Sequence, residues 1–398
     1  MHQPHEEQPN WRRPGRWEVG VLGVVASACL SGAASSVPAA SAGTPIHLVS
    51  VTMKATMVGW GIDRHLGGQL VHTVNGGRIW MNVTPPGVPL GIPTYRDQQA
   101  NALPEPPDDT AILTPTRSTA ITLTEVARAI DGSGVLLCSH TSDAGRQWRE
   151  WTVHLPHLSD TAIDDPSLYG ADFVNANDGW LQFEPGASSS ASMTILGMEL
   201  WHTTNGGHNW HRVSQISPQR MVGVSPVTFT SATAGWITES KIYHNPILLH
   251  TINAGRTWIP VSVGGMGPDG WPIFRGADGA LLVYGSRTIQ VRTTTNFGKT
   301  WGPLRRLPGQ PDSTVTVAVL GPHLLLDHSG AFWWISRNGG QTWTRTEWTD
   351  RALRHSAMDL LNKRVAWVWN NRTGPSTMAK TTNSGRTWTS WTPMLVQR

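Results

Sequence analysis

Short apolar stretches recur along this chain: HLVSVTM, DFVNAND, VTFTSAT and MDLLNKR. Each leads into a Gly-Trp or Ala-Trp pair, namely Gly59-Trp60, Gly179-Trp180, Gly235-Trp236 and Ala366-Trp367. A second Trp follows 20, 30, 22 and 21 residues later, at the end of a turn with the pattern Ser/Thr-x-Asn/Asp-x-Gly-x-x-Trp. That turn occurs seven times, ending at Trp80, Trp148, Trp210, Trp258, Trp301, Trp343 and Trp388. The spacings between these Trp residues are 68, 62, 48, 43, 42 and 45, so the first two repeats carry insertions. Three residues before each turn stand Leu70, Cys138, Leu200, Leu248, Val291, Trp333 and Met378, which predicts a buried slot on the incoming strand.

The turn has a local physical reading. Asn75, Asp143, Asn205, Asn253, Asn296, Asn338 and Asn383 hydrogen-bond backbone N–H groups ahead of them. Gly77, Gly145, Gly207, Gly255, Gly298, Gly340 and Gly385 supply a left-handed backbone without a Cβ penalty. The Trp that follows is a large apolar peg on the outgoing strand. Each repeat then reads as four short antiparallel strands, the unit of a propeller blade. The expectation is an all-β, single, closed seven-bladed β-propeller over 43–398. Its blades fall at roughly 46–86, 108–155, 168–215, 225–263, 270–308, 313–348 and 354–394. The blades at about 108–155, 270–308 and 313–348 lack the Gly-Trp pair.

Composition agrees with a β fold. In 398 residues Gly is 41 and Pro 28, and charged residues make up 15%, against about 25% in an ordinary globular protein. Long charged helices and coiled coils are disfavoured. The net charge of +4 is thinly spread in sequence, with no Lys/Arg run of the nucleic-acid kind.

Residues 1–42 read as a signal peptide or N-terminal anchor. Arg12, Arg13 and Arg16 precede an apolar stretch from Val19 to Ala34, and Ala40-Ser41-Ala42 offers a cleavage site. Ala26-Ser27-Ala28-Cys29 competes as a lipobox with Cys29 as the lipidated residue, and an uncleaved anchor is the third reading. All three place the folded part outside the cytoplasm. Cys138 is then the one cysteine of the mature domain, read as a buried small hydrophobe filling the slot that Leu fills elsewhere.

His72, His140, His202 and His250 each precede a turn. Equivalent positions on different blades lie far apart, so a structural role is expected and no metal site is assigned. His154-x-x-His157 and His208-x-x-His211 lack a convincing partner set for zinc.

These turns resemble Asp-boxes, also called BNR repeats. With the preceding Gly-Trp strand the unit is similar to the photosystem II assembly and stability factor family, over roughly residues 45–395. Asn replaces the usual Asp in six of the seven turns, and only Asp143 keeps the acid. The resemblance implies an exported, non-enzymatic propeller that binds a protein partner such as a membrane-protein precursor, without a cofactor. The alternative is an extracellular glycoside hydrolase of sialidase-like or xyloglucanase-like architecture, with a glycan as ligand. Against the sialidase form, Phe274-Arg275 runs into Gly276-Ala277, and only four tyrosines exist, at 95, 169, 243 and 284. A carboxylate pair for glycoside hydrolysis has loop candidates in Asp97, Asp108, Asp109, Asp160, Asp164 and Asp165.

Binding is expected on the face opposite the repeated turns. The insertions 84–108, 152–168 and 183–197 fall there and should build one rim. Tyr95, Arg96, Asp97, Tyr169 and Phe183 are the expected aromatic anchors and polar partners. The Asn-for-Asp turns also lose a carboxylate whose support would vanish on protonation, which suits an acidic exterior.

Overall fold

The structure is a computed structural model. It describes residues 43–64, 68–88, 110–128, 134–155, 167–184, 198–216, 223–240, 245–265, 267–268, 272–284, 288–308, 315–320, 323–328, 332–348, 350–353, 356–370 and 374–396. These residues form seven sheets in chain order, antiparallel except for one strand pair in the first, plus one short 3-10 turn at Arg351–Leu353. The first strands are Leu48–Met53, Thr110–Leu113, Ser167–Phe173, the interrupted pair Gly223–Val224 and Thr228–Phe229, Ile273–Arg275, Val315–Leu320 and Ala357–Asn362. In each sheet the following three strands pair outward in sequence order. Sheet one also takes Met394–Val396, parallel to Ile79–Asn82, and Thr44–Pro45 on top of that, so both ends of the described chain are knitted into one sheet. The repeat pattern did not announce this closure, because neither segment carries the turn motif.

Seven separate apolar cores close the ring. One lies between each pair of successive sheets, from Val49, Trp60 and Ile112 between sheets one and two to Trp367, Met378 and Trp80 between sheets seven and one. The others join sheets two and three, three and four, four and five, five and six, and six and seven. First strands touch one another between sheets two and three, three and four, five and six, six and seven, and seven and one, which makes them the inner wall around the axis.

The repeated turn is built as its residue types require. In sheet one, the Gly77 N–H donates to the Thr73 hydroxyl at 3.1 Å and the Ile79 N–H to Asn75 Oδ1 at 2.9 Å. The Ser/Thr-to-Gly bond recurs in the other six turns at 2.8–3.1 Å. The fourth residue is left-handed too, and where it is not glycine it is Ala144, Ala254, Phe297 or Ser384, with φ of 59–62°. Its N–H is the reason. It donates to a carbonyl of the sheet's first turn, as in Gly76 to Met57 and Ala254 to Thr233, both 2.8 Å. The same bond is made by Ala144, Gly206, Phe297 and Ser384. The first turn and the repeated turn therefore share one face of the ring, called the turn face below.

The buried slot completes the packing between sheets. All seven slot residues are buried. A Cβ on Gly255 would stand 2.2 Å from Leu200 of the preceding sheet, and one on Gly77 3.0 Å from Met378. The Gly of the Gly-Trp pair has a different reason. Gly59, Gly179 and Gly235 lie under Met53, Phe173 and Phe229, which a Cβ would meet at 2.3–2.7 Å. In sheet seven the smaller Leu360 holds that place, and Ala366 is tolerated.

Candidate functional site

Four charged residues converge on the axis. Asp172 and Asp359 occupy equivalent positions near the ends of first strands, each paired in register with the Trp of the second strand. Lys54 follows the first strand of sheet one, and Arg275 ends that of sheet five. Sheets one, three and five are not neighbours in the ring, so Lys54, Asp172 and Arg275 feel one another only across its centre.

The two carboxylates act as ties between sheets. Asp172 accepts the Phe229 N–H of sheet four at 2.6 Å. Asp359 accepts the Met53 N–H of sheet one at 2.6 Å and pairs with the Arg275 guanidinium. Burial raises the Asp172 carboxyl to about 6, against the opposing pull of the Phe229 and Phe173 N–H groups and Lys54. Burial, and then the adjacent Arg275 charge, lower the Lys54 amine to about 8, with Asp172 opposing. Burial alone lowers Arg275 to about 10. Its side chain keeps 27% of its surface open, so it is not sealed in a core.

The residues expected to bind separate into two groups. Tyr95, Arg96 and Asp97, and the carboxylates Asp108, Asp109, Asp160, Asp164 and Asp165, lie outside the described residues, as do Cys29 and the rest of 1–42. Most of the three insertions does so as well. Phe183 requires correction. It is fully buried in the core between sheets two and three, because its alternation along the second strand turns it inward, and it presents nothing to a partner. Tyr169 is half-buried against the core between sheets three and four, and its hydroxyl donates to the Val224 carbonyl.

The histidines before the turns pack on aromatic rings, His202 and His250 stacked on Trp180 and Trp236 and His72 edge-on to Trp60. His72, His202 and His250 pair in register with Trp60, Trp180 and Trp236, and ring centroids lie 3.9–4.5 Å apart. Burial holds His202 and His250 below the ordinary imidazole value, so both are neutral at pH 7. In sheet seven Lys380 takes this place, 4.7 Å over Trp367. Cys138 is fully buried, and burial pushes its thiol up to about 12.

The axial charges escaped the sequence reading, although one signal was present. Thr52, Asp172, Thr228 and Asp359 each stand eight residues before a Trp of the Gly-Trp or Ala-Trp pair. A carboxylate there, inside an apolar inner strand, is the anomaly to notice.

No protein-family model matches the chain, and no curated protein matches it. Among solved structures it is similar to YCF48 from Cyanidioschyzon merolae, at 12% identity over 86% of this chain and 97% of that one, with a TM-score of 0.51. It is also similar to a puromycin hydrolase mutant complexed with PGG, at 10% identity, 88% of this chain, 55% of that one and a TM-score of 0.52. A structure from a study of two prolyl endopeptidases matches at 10% identity, 87% of this chain, 50% of that one and a TM-score of 0.51. What is shared at these identities is the fold, and the last two matches take in only about half of those chains.

Proposed function

We propose that this chain is an exported, non-enzymatic binding or assembly scaffold. It engages a protein partner, such as a membrane-protein precursor, through loops on the face opposite the turn face. The observation that supports this reading is the use made of the axial carboxylates. Asp172 and Asp359 hold backbone N–H groups of the next sheet, and Asp359 also holds Arg275, so both serve ring closure. The resemblance of the turns to Asp-boxes, and of the repeat to the photosystem II assembly and stability factors, points the same way.

Export follows from the signal peptide or anchor in residues 1–42. Mass spectrometry of the mature protein separates cleavage after Ala42, lipidation of Cys29 and an intact N-terminus. With Tyr169 and Phe183 serving the core, the binding side chains assigned to the partner are Tyr95, Arg96 and Asp97. The test is capture from membrane extracts with wild type and the triple variant Tyr95→Ala, Arg96→Ala, Asp97→Ala. The variant, and a deletion of 89–104 that spares the buried Val88, should stay folded and lose the captured partner. Undiminished capture by both overturns this placement.

A second reading, glycoside hydrolysis, has one observation behind it: the Asp172 carboxyl raised to about 6, a value suited to a general acid. Turnover of any member of a glycan panel, abolished by Asp172→Asn, would establish the hydrolase and overturn the scaffold.

A further inference from the structure

The turn motif leaves its sixth position free, and the chain fills it with Arg78, Arg146, His208, Arg256, Lys299, Gln341 and Arg386. All seven are exposed. Five cations therefore stand at equivalent points around one face of the ring. The first turns add exposed Arg117, Lys363 and Arg364 on that face. The acids at these turns are Asp143, Asp178 and Asp278, each half-buried. A whole-chain charge of only +4 thus becomes strongly positive on one side.

The same turns carry bare apolar side chains. Val74 and Ile252, both at the second turn position, are 56% and 64% exposed. Phe297 at a fourth position and Met57 in the first turn of sheet one are also exposed. Six of the seven turns are tied to the first turn of their sheet by the same backbone bond, so these groups share one level.

We propose that the turn face docks on an anionic bilayer surface. A ring of cations at one height complements a plane of negative charge rather than a cleft-bound chain. Each exposed cation adds electrostatic attraction to acidic headgroups. The apolar tips among them enter the headgroup boundary, where an apolar side chain is better placed than in water.

The experiment is flotation of the full-length protein with vesicles of phosphatidylcholine alone, or containing about a quarter phosphatidylglycerol. Wild type should float with the anionic vesicles and be released as salt rises from about 0.05 to 0.5 M. The variant Arg78→Gln, Arg146→Gln, Arg256→Gln, Lys299→Gln, Arg386→Gln should bind at least about tenfold more weakly. Ile252→Ser with Phe297→Ser should reduce the fraction that stays bound at the highest salt. Residues 1–42 are common to all variants, so a difference between variants does not come from them, and melting curves confirm that each is folded. Equal binding of wild type and the five-cation variant overturns the proposal. So does retention on heparin without vesicle binding.

Discussion

Two glycines with nearly the same backbone separate turn strain from packing between sheets. Gly207 and Gly255 both occupy the fifth turn position, at φ of 90° and 89°. A Cβ on Gly207 would meet nothing nearer than Trp210 at 3.5 Å, which is ordinary contact. A Cβ on Gly255 would stand 2.2 Å from Leu200 Cδ2, and Leu200 is fully buried. Gly207→Ala should therefore cost only left-handed strain, about 1 kcal/mol. Gly255→Ala should cost that plus an overpacking term of about 1–3 kcal/mol. Urea unfolding followed by tryptophan fluorescence measures both. Leu200→Ala alone opens a cavity worth about 2–5 kcal/mol, yet it removes the clash. The Gly255→Ala, Leu200→Ala double variant should therefore be more stable than the sum of the singles by about 1–3 kcal/mol. Equal costs at the two glycines, with an additive cycle, would refute the idea that the slot of one sheet seats the turn of the next.

Three further outcomes are expected. The folded Asp172 carboxyl, about 6, lies above its ordinary 3.8, so its contribution to stability is full below about pH 4 and lost as pH rises through 6. Wild-type stability relative to Asp172→Asn should fall across that window by at most about 3 kcal/mol, and a flat difference in urea titrations from pH 4 to 7 would sink this account. Phe297→Gly relieves an exposed left-handed residue and should raise stability by about 1 kcal/mol, whereas a lower melting temperature would count against strain there. Cys138, buried and raised to about 12, should resist iodoacetamide at pH 8 in the native protein and react in urea, as read by peptide mapping; native labelling would contradict its burial.

The parts of this protein that sequence alone determined are those whose partners lie within a few residues. Thr73, Asn75 and Gly77 bond to one another and to residues up to Ile79, so the turn can be read wherever its letters occur. Seven copies then imply seven sheets, and apolar slot residues at a fixed offset imply the packing between them. The left-handed fourth position was not legible, because Ala, Phe and Ser stand there as well as Gly. Its cause is a bond to a first turn some 20 to 30 residues away. Phe183 was misjudged because nearness to an insertion says nothing about which side of a strand faces the core. The axial charges and the basic face were decided by tertiary structure alone. Lys54, Asp172, Arg275 and Asp359 are about a hundred residues apart in the chain, and the five turn cations are singletons in sequence. Only closure of the ring superposes equivalent positions of successive repeats, and so turns a thinly spread charge into an axis of alternating sign and a face of one sign.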